Sequence, residues 1–134
     1  LISIEDGFAE ADGDGFIALE KELGGTLSIV GDDLTVTNVG RIAMAIQKGA
    51  ANACIIKPNQ IGTVTESIEA VRATRNAGWK LFASHRSGET MDTFISDFAV
   101  GLSCDYLKAG APTKKERMVK YDRLVEIEEH LHIS

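Results

Sequence analysis

"ACIIK" (53–57), "TVTESIEAVRATRNAG" (63–78) and "KLFASHR" (80–86) follow one another almost without a break, and their order decides the fold. Ala53 to Ile56 is a short apolar run of strand length that ends on a charge, Lys57. Thr63-Val64-Thr65-Glu66 is a capping box, in which a hydroxyl and a carboxylate satisfy the free N–H groups of a helix start. The helix it opens runs through Ile68, Val71 and Ala73, with Gly78 beyond its end. Lys80 to Ala83 then repeats the apolar run and ends on Ser84-His85-Arg86. Residues 53–86 thus hold a strand, a polar tip, a helix, a second strand and a second tip.

The same unit recurs in both directions. Leu1 to Ile4 ends in Glu5-Asp6, Leu27 to Val30 in Gly31-Asp32-Asp33, and Asp105 to Leu107 in Lys108. Ile42, Ala45 and Ile46 share one face of a helix that Gly49 can cap. Thr113-Lys114-Lys115-Glu116, after Pro112, reads as a second capping box. It opens a last helix with an apolar stripe of Met118, Tyr121, Leu124, Val125 and Ile127. Strand and helix alternating about every 25 residues predict parallel strands joined by right-handed crossovers. The tips Glu5, Asp32, Lys57, His85 and Lys108 lie 27, 25, 28 and 23 residues apart. Charged groups therefore recur at the carboxyl end of every strand, where α/β folds bind their ligands.

Two α/β architectures fit this pattern. One is a doubly wound sheet of five strands; the other is five consecutive βα units of a TIM-type barrel, a partial barrel with outer helices. The first residue is Leu1, already in mid-strand, which favours the second. The expectation is that residues 1–134 form the carboxyl-terminal part of a barrel whose first strands and amino-terminal domain are absent. Five such strands would expose two unpaired edges and an uncovered apolar face. Pairing with the upstream part or with a second copy, and hence a homo-oligomer, is expected.

Composition narrows the partners. The chain is 44% hydrophobic and 25% charged with 2 prolines, as an ordinary folded domain is. A net charge of -6 without a basic stripe argues against nucleic-acid binding but leaves room for a small anionic ligand. Cys54 and Cys104 sit in apolar runs and read as reduced, structural thiols, which suits the cytoplasm. No stretch approaches the ~20 apolar residues of a membrane span, and no signal peptide is visible.

The tips carry chemistry. Glu5 and Asp32 are hard oxygen ligands suited to Mg²⁺, with a third ligand expected elsewhere. The competing reading is a pair of acids neutralised by lysines. Lys57 is placed to project into the barrel mouth. There desolvation, Lys108 and a divalent cation would all lower its pKa toward that of a general base. Lys108 is placed to clamp a carboxylate. In "SHRSGET" (84–90) a serine nucleophile would need a base, an orienting acid and oxyanion donors. Ser84 and Ser87 flank His85 too closely for that, and no G-x-S-x-G elbow occurs. An anion cradle fits better, with the Arg86 fork, the Ser87 hydroxyl and close backbone approach at Gly88. A plain polar loop whose Glu89 and Thr90 open the next helix is the alternative.

Other stretches carry less. "EADGDGF" (10–16) sets Glu10, Asp12 and Asp14 at calcium-loop spacing, but Lys21 falls where the bidentate glutamate is required. Trp79, Phe82 and Phe94 read as core. His130 and His132 lie in a terminal tail, and Glu126, Glu128 and Glu129 lack a fixed metal geometry.

Five motifs together resemble one family. "GDDLTVTN" (31–38), "IIKPNQIGTVTES" (55–67), "SHRSGET" (84–90), "LKAGAP" (107–112) and "KYDRLVEIEE" (120–129) look like enolase, phosphopyruvate hydratase, as does the opening "SIED" (3–6). The resemblance covers essentially the whole chain and corresponds to about the last five strands of the enolase barrel. It implies a glycolytic, cytoplasmic lyase that removes water from 2-phosphoglycerate to give phosphoenolpyruvate with two Mg²⁺ ions. By resemblance, Glu5 and Asp32 hold the tighter-bound metal and Lys57 takes the proton from carbon 2. Ser84, His85, Arg86 and Ser87 match the loop that closes over substrate, with Arg86 and Ser87 at the phosphate. Lys108 matches the lysine at the substrate carboxylate, and Asp33 supports the site from outside the metal.

The resemblance also places one metal carboxylate and the glutamate acid upstream of residues 1–134. Negligible turnover by these residues alone is therefore expected, and a non-catalytic, self-associating half-barrel is the rival reading. Three departures stand out. Gly7 replaces a usual proline, "ADGDGF" lacks a usual tryptophan, and Met91 replaces a usual glutamate.

Overall fold

Five parallel strands hydrogen-bond in the order β1-β2-β3-β4-β5, which is also their order along the chain. They are β1 (Ser3–Glu5), β2 (Ser28–Gly31), β3 (Ala53–Ile56), β4 (Lys80–Ser84) and β5 (Tyr106–Lys108). The computed structural model describes residues 1–132. A doubly wound sheet reverses its strand order at a switch point; this sheet does not. It also curls. Five strands laid flat would hold β1 and β5 about 19 Å apart, yet Lys108 Nζ of β5 reaches Glu5 Oε1 of β1 at 2.6 Å. The result is a half-barrel, as the barrel reading expected.

Helices fill the crossovers: α1 (Gly13–Leu23), α2 (Val39–Lys48), the single turn α3 (Pro58–Ile61), α4 (Val64–Asn76) and α5 (Phe94–Gly101), with α6 (Lys115–Leu131) closing the chain. Their starts are chemically marked. Asp12 Oδ1 accepts from Gly15 N at 2.9 Å, so "ADGDGF" is a helix start rather than a cation loop. Asn38 caps α2 by accepting from Arg41 N at 3.1 Å, and Gly49 ends it in the left-handed region (φ 61°, ψ 43°). Thr63 caps α4 by accepting from Glu66 N at 3.1 Å, while its hydroxyl donates to Glu66 Oε2 at 2.6 Å; the carboxylate thus meets the hydroxyl rather than the backbone N–H of the expected box.

Three local expectations need correction. The second capping box does not form: α6 begins one residue later than it requires, with Lys114 at the cap and no side-chain bond there. Phe94 is not core. It occupies the first turn of α5 and remains 43% exposed, while Ile95 and Phe98 face inward. The stripe of α6 is also displaced, because Met118 and Val125 are exposed and the one buried residue of the helix is Lys120.

The core divides by strand parity. Ile29, Cys54, Ile56, Leu81 and Ala83 pack under the helices against Phe16, Ile42, Ala70, Val71, Ile95 and Phe98. The alternate residues Val30, Ala53 and Ile55, with Phe82, form a smaller cluster on the other face, inside the curl. Phe82 stacks on Tyr106 there with ring centroids 4.4 Å apart. All four residues of β2 and of β3 are buried, as strands covered on both faces require.

Candidate active site

Parity and register decide which tip side chains meet. Glu5 pairs in register with Val30, Ile55 with Phe82, and Ser84 with Lys108. Side chains on a strand alternate faces, so counting by twos from the inner cluster places Glu5, Asp32, Lys57, Ser84 and Lys108 on the inner face. All five stand at the carboxyl edge of the sheet. Four of the five expected tips, Glu5, Asp32, Lys57 and Lys108, thus share one face, with Ser84 standing there in place of His85.

The four charges of this set form two ion pairs. Lys57 Nζ donates to Asp32 Oδ2 at 2.5 Å, with both side chains largely buried. Lys108 Nζ donates to Glu5 Oε1 and Oε2 at 2.6 and 2.7 Å across the mouth of the curl, where both remain partly exposed. The neutralised-acid arrangement weighed from sequence is therefore present. Asp32 Oδ1 is buried and has no hydrogen-bond partner. A buried carboxylate oxygen without a donor is costly, and a hard divalent cation beside it would satisfy it. The donor set of Asp32 and Glu5 fits Mg²⁺ in ligand type.

Asp6, Asp32 and Asp33 also converge, each with a carboxylate oxygen within 4.8 Å of the others. Asp6 is nevertheless committed to the backbone. Its Oδ1 accepts from Asp32 N at 2.9 Å and its Oδ2 from Asp33 N at 2.8 Å. Asp6 itself lies in the left-handed region at φ 42°, a conformation Asp tolerates better than most residues. It holds the turn that aims Asp32. Asp33 is exposed and meets Asp6 through its backbone N–H.

The Gly31–Asn38 turn also grips the lysine strand. Thr37 Oγ1 accepts from Lys57 N at 2.9 Å and donates to Gln60 Oε1 at 3.0 Å. Val36 and Thr37 both have positive φ, 45° and 58°. Two β-branched residues in that region mark stored strain that surrounding contacts must hold in place. Asp6 and Thr37 were missed as site residues because their work is done on backbone N–H groups.

Arg86, Ser87 and Gly88 are exposed on the rim. With Lys57, Asn59, Ser84, His85 and Lys108, Arg86 and Ser87 line one open cleft. Arg86 Nη1 donates to Asn59 O at 3.3 Å, and Gly88 has φ 83°. Ser84 is 1% exposed and donates to His85 O at 2.9 Å, so its hydroxyl is spent locally and no nucleophile stands here. His85 donates its backbone N–H to Lys108 O at 3.0 Å, while its ring Nδ1 is buried without a partner. Burial holds the His85 pKa below the ordinary value, opposed by Glu89 and reinforced by Arg117, Lys108 and Lys120.

The family described as "Enolase, C-terminal TIM barrel domain" matches residues 1–133. The chain belongs to the enolase family. It is 54% identical over 131 residues to enolase 2 of Methanospirillum hungatei, covering 98% of this chain and 31% of that protein. Similar relatives are the enolases of Solanum lycopersicum, 53% identical with 98% and 30% covered, and of Malacoplasma penetrans, 54% identical with 98% and 29% covered. The chain thus spans about a third of the length of the enolases it matches.

Proposed function

We propose that residues 1–134 form the carboxyl-terminal part of a cytoplasmic phosphopyruvate hydratase, which dehydrates 2-phosphoglycerate reversibly to phosphoenolpyruvate in glycolysis. The observation that carries this reading is the convergence of Asp32, Glu5, Lys57 and Lys108 on one face beside an arginine-bearing rim. Glu5 and Asp32 would hold Mg²⁺, with Asp32 Oδ1 the oxygen left for it. Bound there, the cation would spread the negative charge that builds on the substrate carboxylate as carbon 2 loses its proton.

The remaining roles belong to the chain. Lys57, positioned by Thr37 at its backbone, takes the carbon 2 proton as the free amine, which requires its proton and its ion pair with Asp32 to be given up first. Lys108 binds the substrate carboxylate, and Arg86 with Ser87 binds the phosphate, Arg86 by a bidentate fork. Ser84 and His85 shape the base of the loop, with His85 facing the reacting atoms. The acid for the departing hydroxyl and a third metal carboxylate belong, by family resemblance, outside these residues. Residues 1–134 alone would then turn over negligibly, acting when joined to the rest of the enzyme within a homo-oligomer.

Isothermal calorimetry tests this assignment. Magnesium-dependent binding of 2-phosphoglycerate, lost in Arg86→Ala and in Lys108→Ala, is the expected result. Binding unaffected by chelation or by either substitution would defeat it. The rival half-barrel reading draws on the exposed Leu1 and Ile2 beside β1. It predicts a defined oligomer by light scattering and no affinity for 2-phosphoglycerate.

A further inference from the structure

Lys120 is the most deeply buried charge in the described residues, 1% exposed in the second turn of α6. Lysine is almost never buried this fully without partners. Here its ammonium has two hydrogen-bond acceptors and one ion-pair partner. Nζ donates to Thr90 O at 2.6 Å, to Glu116 O at 2.6 Å, and meets Glu89 Oε2 at 3.0 Å. Its own carbonyl accepts from Ser96 Oγ of α5 at 2.7 Å. One residue therefore joins α5, α6 and the end of the "SHRSGET" loop.

A buried ion pair is a poor way to gain stability, since a packed hydrophobe of similar volume often does as well or better. What such a pair does supply is direction, because its donors accept only one arrangement of oxygens. The oxygens fixed here belong to Glu89 and Thr90. Upstream, the same loop is fixed where His85 N donates to Lys108 O. Between these two attachments Arg86, Ser87 and Gly88 are exposed. Gly88 turns the chain at φ 83° immediately before Glu89. The rim that carries the arginine fork is thus an arch tied at both ends, and Lys120 is its downstream tie.

We propose that Lys120 is the positioning residue of the anion loop: its ammonium clamps Glu89 and Thr90 and thereby sets where Arg86 and Ser87 present their donors. The proposal rests on the reading of Arg86 and Ser87 as phosphate ligands. Lys120 touches neither substrate nor metal, so its removal acts on phosphate-bearing ligands and spares the cation. An arginine in its place keeps the charge, but its flat fork cannot match three oxygens arranged around an ammonium, so it rescues partly.

The test combines hydrogen–deuterium exchange with calorimetry on the 134-residue chain carrying Lys120→Met, Lys120→Arg or Glu89→Gln. In Lys120→Met, exchange of residues 85–92 should quicken about tenfold or more while β3 and β4 stay as protected as before. Affinity for 2-phosphoglycerate in Mg²⁺ should weaken about tenfold, with Mg²⁺ affinity unchanged. Glu89→Gln should shift both readouts the same way by less, and Lys120→Arg should lie between the Met variant and the unaltered chain. Glu89 is at the loop rim, so its variant carries the test if Lys120→Met does not fold. Loop exchange unchanged in Glu89→Gln, or loop and strands quickening equally in either variant, overturns the proposal. Failure of the unaltered chain to bind 2-phosphoglycerate overturns instead the phosphate reading, which loop exchange does not depend on.

Discussion

Asp6→Ala removes both acceptors that hold the Asp32 turn, and its cost can be worked from the contacts. The Asp32 N–H, 2.9 Å from Asp6 Oδ1, belongs to a buried residue. Left without an acceptor, it costs about 1–3 kcal/mol. The Asp33 N–H, 2.8 Å from Oδ2, is exposed and rehydrates, losing only about 0.5 kcal/mol. Alanine must also adopt φ 42°, which adds about 1 kcal/mol. The sum is roughly 2.5–4.5 kcal/mol. Asp6→Gly loses the same carboxylate without the side-chain strain and should recover part of that amount. Asp6→Asn keeps one acceptor and should fall between alanine and the unaltered chain. Urea unfolding followed by circular dichroism measures all three, with an unchanged m-value confirming a native-state effect. Asp6→Ala within about 0.5 kcal/mol of the unaltered chain, or no recovery by glycine, would refute the claim that this carboxylate holds the turn.

Three further outcomes follow from the site. Lys57→Met strands the Asp32 carboxylate, which is already short of one partner, and should cost about 3–5 kcal/mol. Mg²⁺ should raise the Tm of that variant more than that of the unaltered chain, and equal shifts would contradict a cation at Asp32. Burial pushes the Cys54 thiol up to about 12 and the Cys104 thiol up to about 11. A thiol reagent at neutral pH should therefore label neither until the chain unfolds; rapid labelling of Cys54 in the folded protein would be the contrary result. His85 has a lowered folded pKa, so below its unfolded value near ~6.5 the unfolded chain binds more protons. Its contribution is complete above that pH and is lost as pH falls through it. His85→Gln should flatten this acid-side slope of the unfolding free energy, and an identical slope would remove His85 as its source.

Strand positions and tips were legible because each strand is a short apolar run ending on a charge. Strand order was not, since a run such as Ala53–Ile56 reads alike in a doubly wound sheet and in a barrel. The helix boxes show how local chemistry divides. Thr63 caps its helix on Glu66 N by itself, whereas Thr113 and Glu116 offer the same letters but α6 starts one residue too late to use them. Side-chain partners were least legible of all. Lys120 occupies a helix position that pattern alone assigns to solvent, and only the approach of Glu89 and Thr90 makes its burial tolerable. Asp6 looks like a second acid beside Glu5, yet strand parity turns it away from the ligand face and onto the Asp32 backbone. Both assignments needed distances between residues about 26 and 30 positions apart, which periodicity does not contain.

The most direct measurement of the central claim is a crystal structure of the chain grown with Mg²⁺ and 2-phosphoglycerate. The account predicts a cation on Asp32 Oδ1 and Glu5, the Lys57 amine facing carbon 2, the substrate carboxylate on Lys108 and the phosphate against Arg86 and Ser87. Density showing both lysine–carboxylate pairs intact, with cation and ligand bound elsewhere or not at all, would contradict it.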